Sequence, residues 1–120
     1  MSIASRRAEI AEVLTGALDG VTVHPYRPPG VRISKTAWLQ LTQVDTEDAT
    51  FGEVRLQLEV VLPVANDQAS FERAFDKHAA ALVDACAGHG RGVTVRPYTE
   101  LVDAATLLCI VATITTESEI

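Results

Sequence analysis

The chain has 120 residues, 48% of them hydrophobic, and a formal charge of −6 from 16 acidic and 10 basic side chains. That length and hydrophobicity fit one compact α+β domain, residues 1–120, and the acidic balance argues against nucleic-acid binding as the main task, because phosphate contacts need clustered Lys and Arg. No run of about 18 apolar residues is present to span a bilayer, and the opening MSIASRRAEIAEVL carries Glu9 and Glu12 where a signal peptide needs an apolar stretch, so a protein that is intracellular, or released by some route other than secretion, is expected.

Residues 3–18, IASRRAEIAEVLTGAL, set Ile3, Ile10, Val13, Leu14, Ala17 and Leu18 along one helical stripe. Ser2 is placed to cap the start and Gly20 lies just past the end. VTVHPY (21–26) reads as a short strand, stopped by Pro25 and the RPPG of 27–30. The excursion that follows is basic, with Arg27, Arg32 and Lys35. WLQLTQV (38–44) alternates as a strand, and the polar DTEDAT (45–50) leads into the long strand FGEVRLQLEVVLPV (51–64). At about 3.3 Å per residue that strand would reach roughly 40 Å. One of its faces is apolar (Val54, Leu56, Leu58, Val60, Leu62); the other carries Glu53, Arg55, Gln57, Glu59 and Val61.

Pro63 is expected to end the long strand, and Asn66 or Asp67 to cap a second helix with Phe71, Phe75, Ala79, Leu82, Val83 and Cys86 on one face. Gly88, Gly90 and Gly92 close it. VTVRPY (93–98) then nearly repeats VTVHPY, which raises internal duplication as one reading and coincidence as the other. TLLCIVATIT (106–115) is apolar on both faces and therefore belongs inside a sheet, leaving TESEI as a short polar tail. Helices can cover one face of that strand; the other face must meet something else. The expected architecture is a mainly antiparallel β-sheet with two α-helices packed on one face, in the order α-β-β-β-α-β-β. Neither the loop 27–36 nor the hairpin tip 45–51 carries apolar residues enough to pack by itself, so both are expected to be mobile in an isolated subunit.

Few residues point to chemistry. Cys86 and Cys109 have no disulfide-framework spacing and read as reduced, buried thiols. Cys86 and His89 have a C-x-x-H spacing, but a structural zinc site needs a second pair, and none is present. His78 reads as a partly exposed helix residue, neither Ser70 nor Cys86 lies in a nucleophile elbow, and GHGRG (88–92) follows a helix instead of preceding one, the reverse of a phosphate-cradling loop. Asp45, Glu47 and Asp48 lack the calcium-loop register. No enzyme, metal or cofactor is expected. The unusual feature is the polar row Glu53, Arg55, Gln57 and Glu59: a solvated sheet face on one reading, a subunit interface with an adjoining apolar patch on the other.

RRAEIAEVLTGAL, WLQLTQVD with its acidic tip, RLQLEVVLP, the helix from Asp67 and the closing LLCIVATIT together make the chain resemble the tail terminator (minor tail protein U-like) family of long-tailed bacteriophages. The resemblance spans nearly the whole chain as a pattern of elements. It implies a structural virion protein at the head-proximal end of the tail, assembled in the bacterial cytoplasm. There it would form a homo-oligomeric ring, expected to be a hexamer, that ends tube polymerisation and offers the head-tail joining surface. The implied partners are other copies of the chain, the tail tube protein and a head-completion or connector protein, with DNA as passing cargo and no membrane. The resemblance would put Glu53, Arg55, Gln57 and Glu59 at subunit contacts or the channel. It would make the loops bearing Arg27, Arg32, Lys35, Asp45, Glu47 and Asp48 docking elements. Another neck protein and a small-molecule-binding regulatory module are the alternatives.

Overall fold

A computed structural model describes residues 2–46, 53–88, 93–102 and 105–119. The tip residues Glu47 and Asp48, the loop residue His89 and the side chain of Glu53 lie outside what it describes. The fold is α+β as expected: α1 (Ile3–Ala17), β1 (Thr22–His24), β2 (Thr36–Asp45), β3 (Glu53–Ala65), α2 (Gln68–Cys86), β4 (Thr94–Val102) and β5 (Ala105–Glu119). The strands form one sheet in the order β1-β2-β3-β5-β4, antiparallel throughout except for the parallel β1–β2 pair at one edge.

Local chemistry accounts for the helices. The Ser2 hydroxyl accepts from the Ser5 backbone N–H at 3.1 Å, and the Asp67 carboxylate accepts from that of Ser70 at 2.8 Å, so each helix starts at a side-chain cap. Gly20, with φ +73°, makes the left-handed turn that α1 needs to enter β1. Ile10, Ala11, Leu14 and Leu18 are the buried stripe of α1, while Val13 is 47% exposed. The centre of the apolar face is rotated by about one position from the expected one, because Thr15 also turns inward. Its hydroxyl accepts from the Val23 N–H at 2.9 Å and stitches α1 to β1. On α2, Phe71, Leu82 and Cys86 are buried, but Val83 is largely exposed.

Both helices lie on the same side of the sheet. Ile10, Leu14, Phe71 and Leu82 pack there with Leu39, Leu58, Val60, Leu62, Ile110, Ala112 and Ile114. Burying an aliphatic side chain of this kind contributes roughly 1.5–3 kcal/mol, so this layer carries most of the stability.

Several boundaries differ from the sequence reading. β3 runs through Pro63 to Ala65, because a register shift between Pro63 and Ala65 absorbs the residue without a backbone N–H. β4 likewise passes through Pro97 to Val102, where an edge strand tolerates proline. The polar tail is strand as far as Glu119: β3 is long enough to pair with it, and Thr116 and Ser118 are buried on the helix side. The Arg6 guanidinium donates to the Thr116 hydroxyl at 2.9 and 3.1 Å and holds that end under α1. The two VT-V-x-P-Y copies play different parts, one a three-residue parallel edge and the other a nine-residue antiparallel edge, so the topology does not repeat.

Candidate interaction surfaces

The sheet face away from the helices divides into an apolar patch and a polar stripe. Leu107, Cys109 and Val111 of β5 form the apolar patch. This face was expected to meet something else, a partner subunit being one of two readings, and the three residues are 8%, 0% and 1% exposed within the single chain. Trp38 and Val61 pack beside them, and Val31 and Tyr98 lie against the group. The physical reason lies in the parallel β1–β2 pair. Its connection must return the chain to the start of the sheet, and residues 25–35 do so across this face.

Arg27 anchors that crossing. Its guanidinium pairs with Glu100 at 3.1 Å, donates to the Leu101 carbonyl at 2.7 Å and stands 5.4 Å from the Trp38 ring centroid. Ser34, at φ +62°, donates its N–H to the Pro63 carbonyl at 2.7 Å. The segment expected to lack packing residues therefore uses Val31 and the Arg27 side chain for that purpose. The Arg32 and Lys35 side chains remain exposed.

The polar stripe brings together the predicted row. Arg55, Gln57 and Glu59 are half-buried on β3. Arg55 sits in register between Asp45 of β2 and Glu117 of β5, and Gln57 between Gln43 and Thr115. These residues, apart from Glu117, line a shallow polar cavity of 170 Å³. Glu59 pairs with Arg96 of β4 at 2.6 Å. A bulge between Leu41 and Gln43 turns Gln43 into this stripe, and the Thr42 hydroxyl donates to the Gln57 carbonyl at 3.1 Å. The stripe is thus a ladder of opposite charges and amides across four strands, each pair worth a fraction of a kcal/mol to about 1 kcal/mol.

Beyond the three residues that β1 covers, the outer edge of β2 has no strand partner among the described residues. Leu41 and Val44, 38% and 41% exposed, lie along that open edge.

Cys86 and Cys109 are buried free thiols, and burial pushes them up to about 11 and about 12, far from the reactive thiolate range. His78 is held below its usual value, by burial first and by Lys77 second, and is neutral at pH 7. Among the described residues no three His, Cys, Asp or Glu side chains gather where a metal ion could sit.

Two cavities were missed in the sequence reading. One, of 550 Å³, lies between α2 and β4 with Phe71, Phe75, Pro97, Tyr98 and Leu108 on its walls and Glu72 and Asp76 at its rim. The Phe71–Phe75 spacing was read only as core, although both rings contribute to a groove. The other, of 460 Å³, lies between the end of α1, α2 and the Ser34–Lys35 turn. No periodic signal marks it, since its walls come from four separate segments. Among protein-family models and curated proteins, none matches the chain.

Proposed function

We propose that the protein is a tail terminator that caps the tail tube of a long-tailed phage, ends tube polymerisation and forms the surface on which the head is joined. The resemblance that motivates this runs through nearly every element, and the element order α-β-β-β-α-β-β agrees with it. The observation that carries the reading is the open outer edge of β2. Exposed Leu41 and Val44 lie along it, and the charge-laddered stripe of Gln43, Arg55 and Gln57 runs beside it. Long unpaired edges are ordinarily covered or blunted. A second copy docking there, repeated around an axis, gives a heterologous interface that closes into a ring. The self-covered apolar patch around Trp38 is not part of that contact. Electron microscopy of the purified protein and of tails carrying it should show a ring of about six subunits at the tube end. Protein that stays monomeric and leaves tails uncapped would sink the proposal.

A small-molecule-binding module is the second reading, favoured by the two cavities, whose 550 and 460 Å³ fall in the range of ligand sites.

A further inference from the structure

We propose that the cavity between the end of α1, α2 and the Ser34–Lys35 turn binds a small amphipathic anion, an apolar body bearing one carboxylate or phosphate head. The chain contains two lysines, Lys35 and Lys77, and both line this cavity although they lie far apart in sequence. Arginine serves elsewhere: Arg6, Arg27 and Arg96 are taken up in ion pairs with Glu9, Glu100 and Glu59. Neither lysine makes an ion pair among the described residues. In a protein of charge −6, the coincidence of both unengaged ammonium groups at one recess concentrates positive potential there.

The floor is apolar, made of Leu18, Val21 and Leu62, which are 5%, 8% and 1% exposed, so a ligand's body finds hydrocarbon where its head finds charge. His78 stands on the same wall as Lys77, neutral at pH 7 and able to donate one ring N–H. Asp19 is the acidic residue among the lining side chains and offsets one lysine, which leaves the site suited to a single anionic head. The backbone is also specialised here. Gly20 and Ser34 are the residues with left-handed φ among those described, and both line the cavity. A serine in that conformation is uncommon. Its N–H bond to Pro63 fixes the turn, and the turn places Lys35 at the rim.

The site stands independently of the tail-cap reading. Its test is titration of the full chain with octanoate, octyl phosphate and, as the neutral counterpart, octan-1-ol, followed by backbone amide and histidine ring NMR. Saturable shifts are expected at Gly20, Lys35, Lys77 and His78 with at least one of the anions. The anion that binds more tightly identifies the head group. Octan-1-ol should bind about tenfold more weakly or worse, and Lys35→Gln and Lys77→Gln should each cost on the order of tenfold, as the loss of a charge-assisted contact does. Arg73→Gln, on an exposed part of α2, should leave affinity unchanged. The amide spectrum of each variant reports whether it is folded. Absence of saturation with both anions, equal binding of octan-1-ol, indifference to both lysine substitutions, or shifts confined to the groove between α2 and β4 would each overturn the proposal.

Discussion

Val111→Ala tests whether the sheet face away from the helices is covered by the chain itself. Val111 is 1% exposed, packed with Trp38, Val61, Leu107 and Cys109 under the crossing segment. The substitution removes two methyl-sized groups, about 1.6 kcal/mol of transfer free energy at roughly 0.8 kcal/mol each, and the cavity left beneath a fixed cover brings the total to about 2 kcal/mol. With a urea slope of about 1.5 kcal/mol per molar, the unfolding midpoint should fall by roughly 1.3 M. Trp38, the single tryptophan, sits in the same cluster and supplies the fluorescence signal. The measurement is repeated at two well-separated protein concentrations. A loss independent of concentration is expected, because the cover belongs to the same chain. A shift of less than about 0.5 kcal/mol, or one that depends on protein concentration, would refute the reasoning and return this patch to an intersubunit contact.

Other perturbations address single features. Gly16 lies exposed near the end of α1, and a Cβ there meets nothing within 4 Å, so Gly16→Ala should raise stability by about 0.5 kcal/mol in thermal or urea unfolding. His78 has its pKa lowered in the fold from the ordinary 6.5, so the folded state binds fewer protons than the unfolded one. Stability should therefore decline as pH falls through 6.5 toward the lowered value, and His78→Gln should flatten that part of the profile measured by chemical denaturation. Cys86 and Cys109 should resist an aromatic disulfide reagent in native protein at pH 8 and react promptly once urea unfolds it. Fast native labelling would show that one of the two is accessible.

The features legible in the sequence were those carried by short-range pattern. The period of two in Val54 to Leu62 identified both a strand and its inward face, and the doubly apolar Leu107–Ile114 run placed β5 inside the sheet. Capping chemistry located Ser2 and narrowed the second cap to Asn66 or Asp67, of which Asp67 is the one used. What stayed hidden depended on distance. Nothing near Arg27 in sequence announces Glu100, and nothing near Val31 announces Trp38 and Val111, so the cover of the second face was read as a loop awaiting a partner. Proline misled in the opposite direction: Pro63 looks like a strand end, but a bulge accommodates it. The row Arg55, Gln57, Glu59 was identified correctly as one face. Its compensation by Asp45, Glu117 and Arg96 required the cross-strand register.

The place of β5 bears on how the chain reaches this state. It is the last strand in sequence among those described, yet it sits between β3 and β4, where Leu108–Thr113 are paired along both edges. While a ribosome is still extending the chain, β3 has lost one neighbour's worth of backbone partners, and Trp38 and Val61 lack the side chains that will lie against them. Completion requires β5 to pair with β3, through contacts between residues far apart in sequence that are correspondingly slow to form. Vulnerability to self-association is therefore greatest in the nascent chain, and shortening β5 from its far end should first strip β3 of its partner over Val54–Gln57, because residues 114–119 pair with β3 and not with β4.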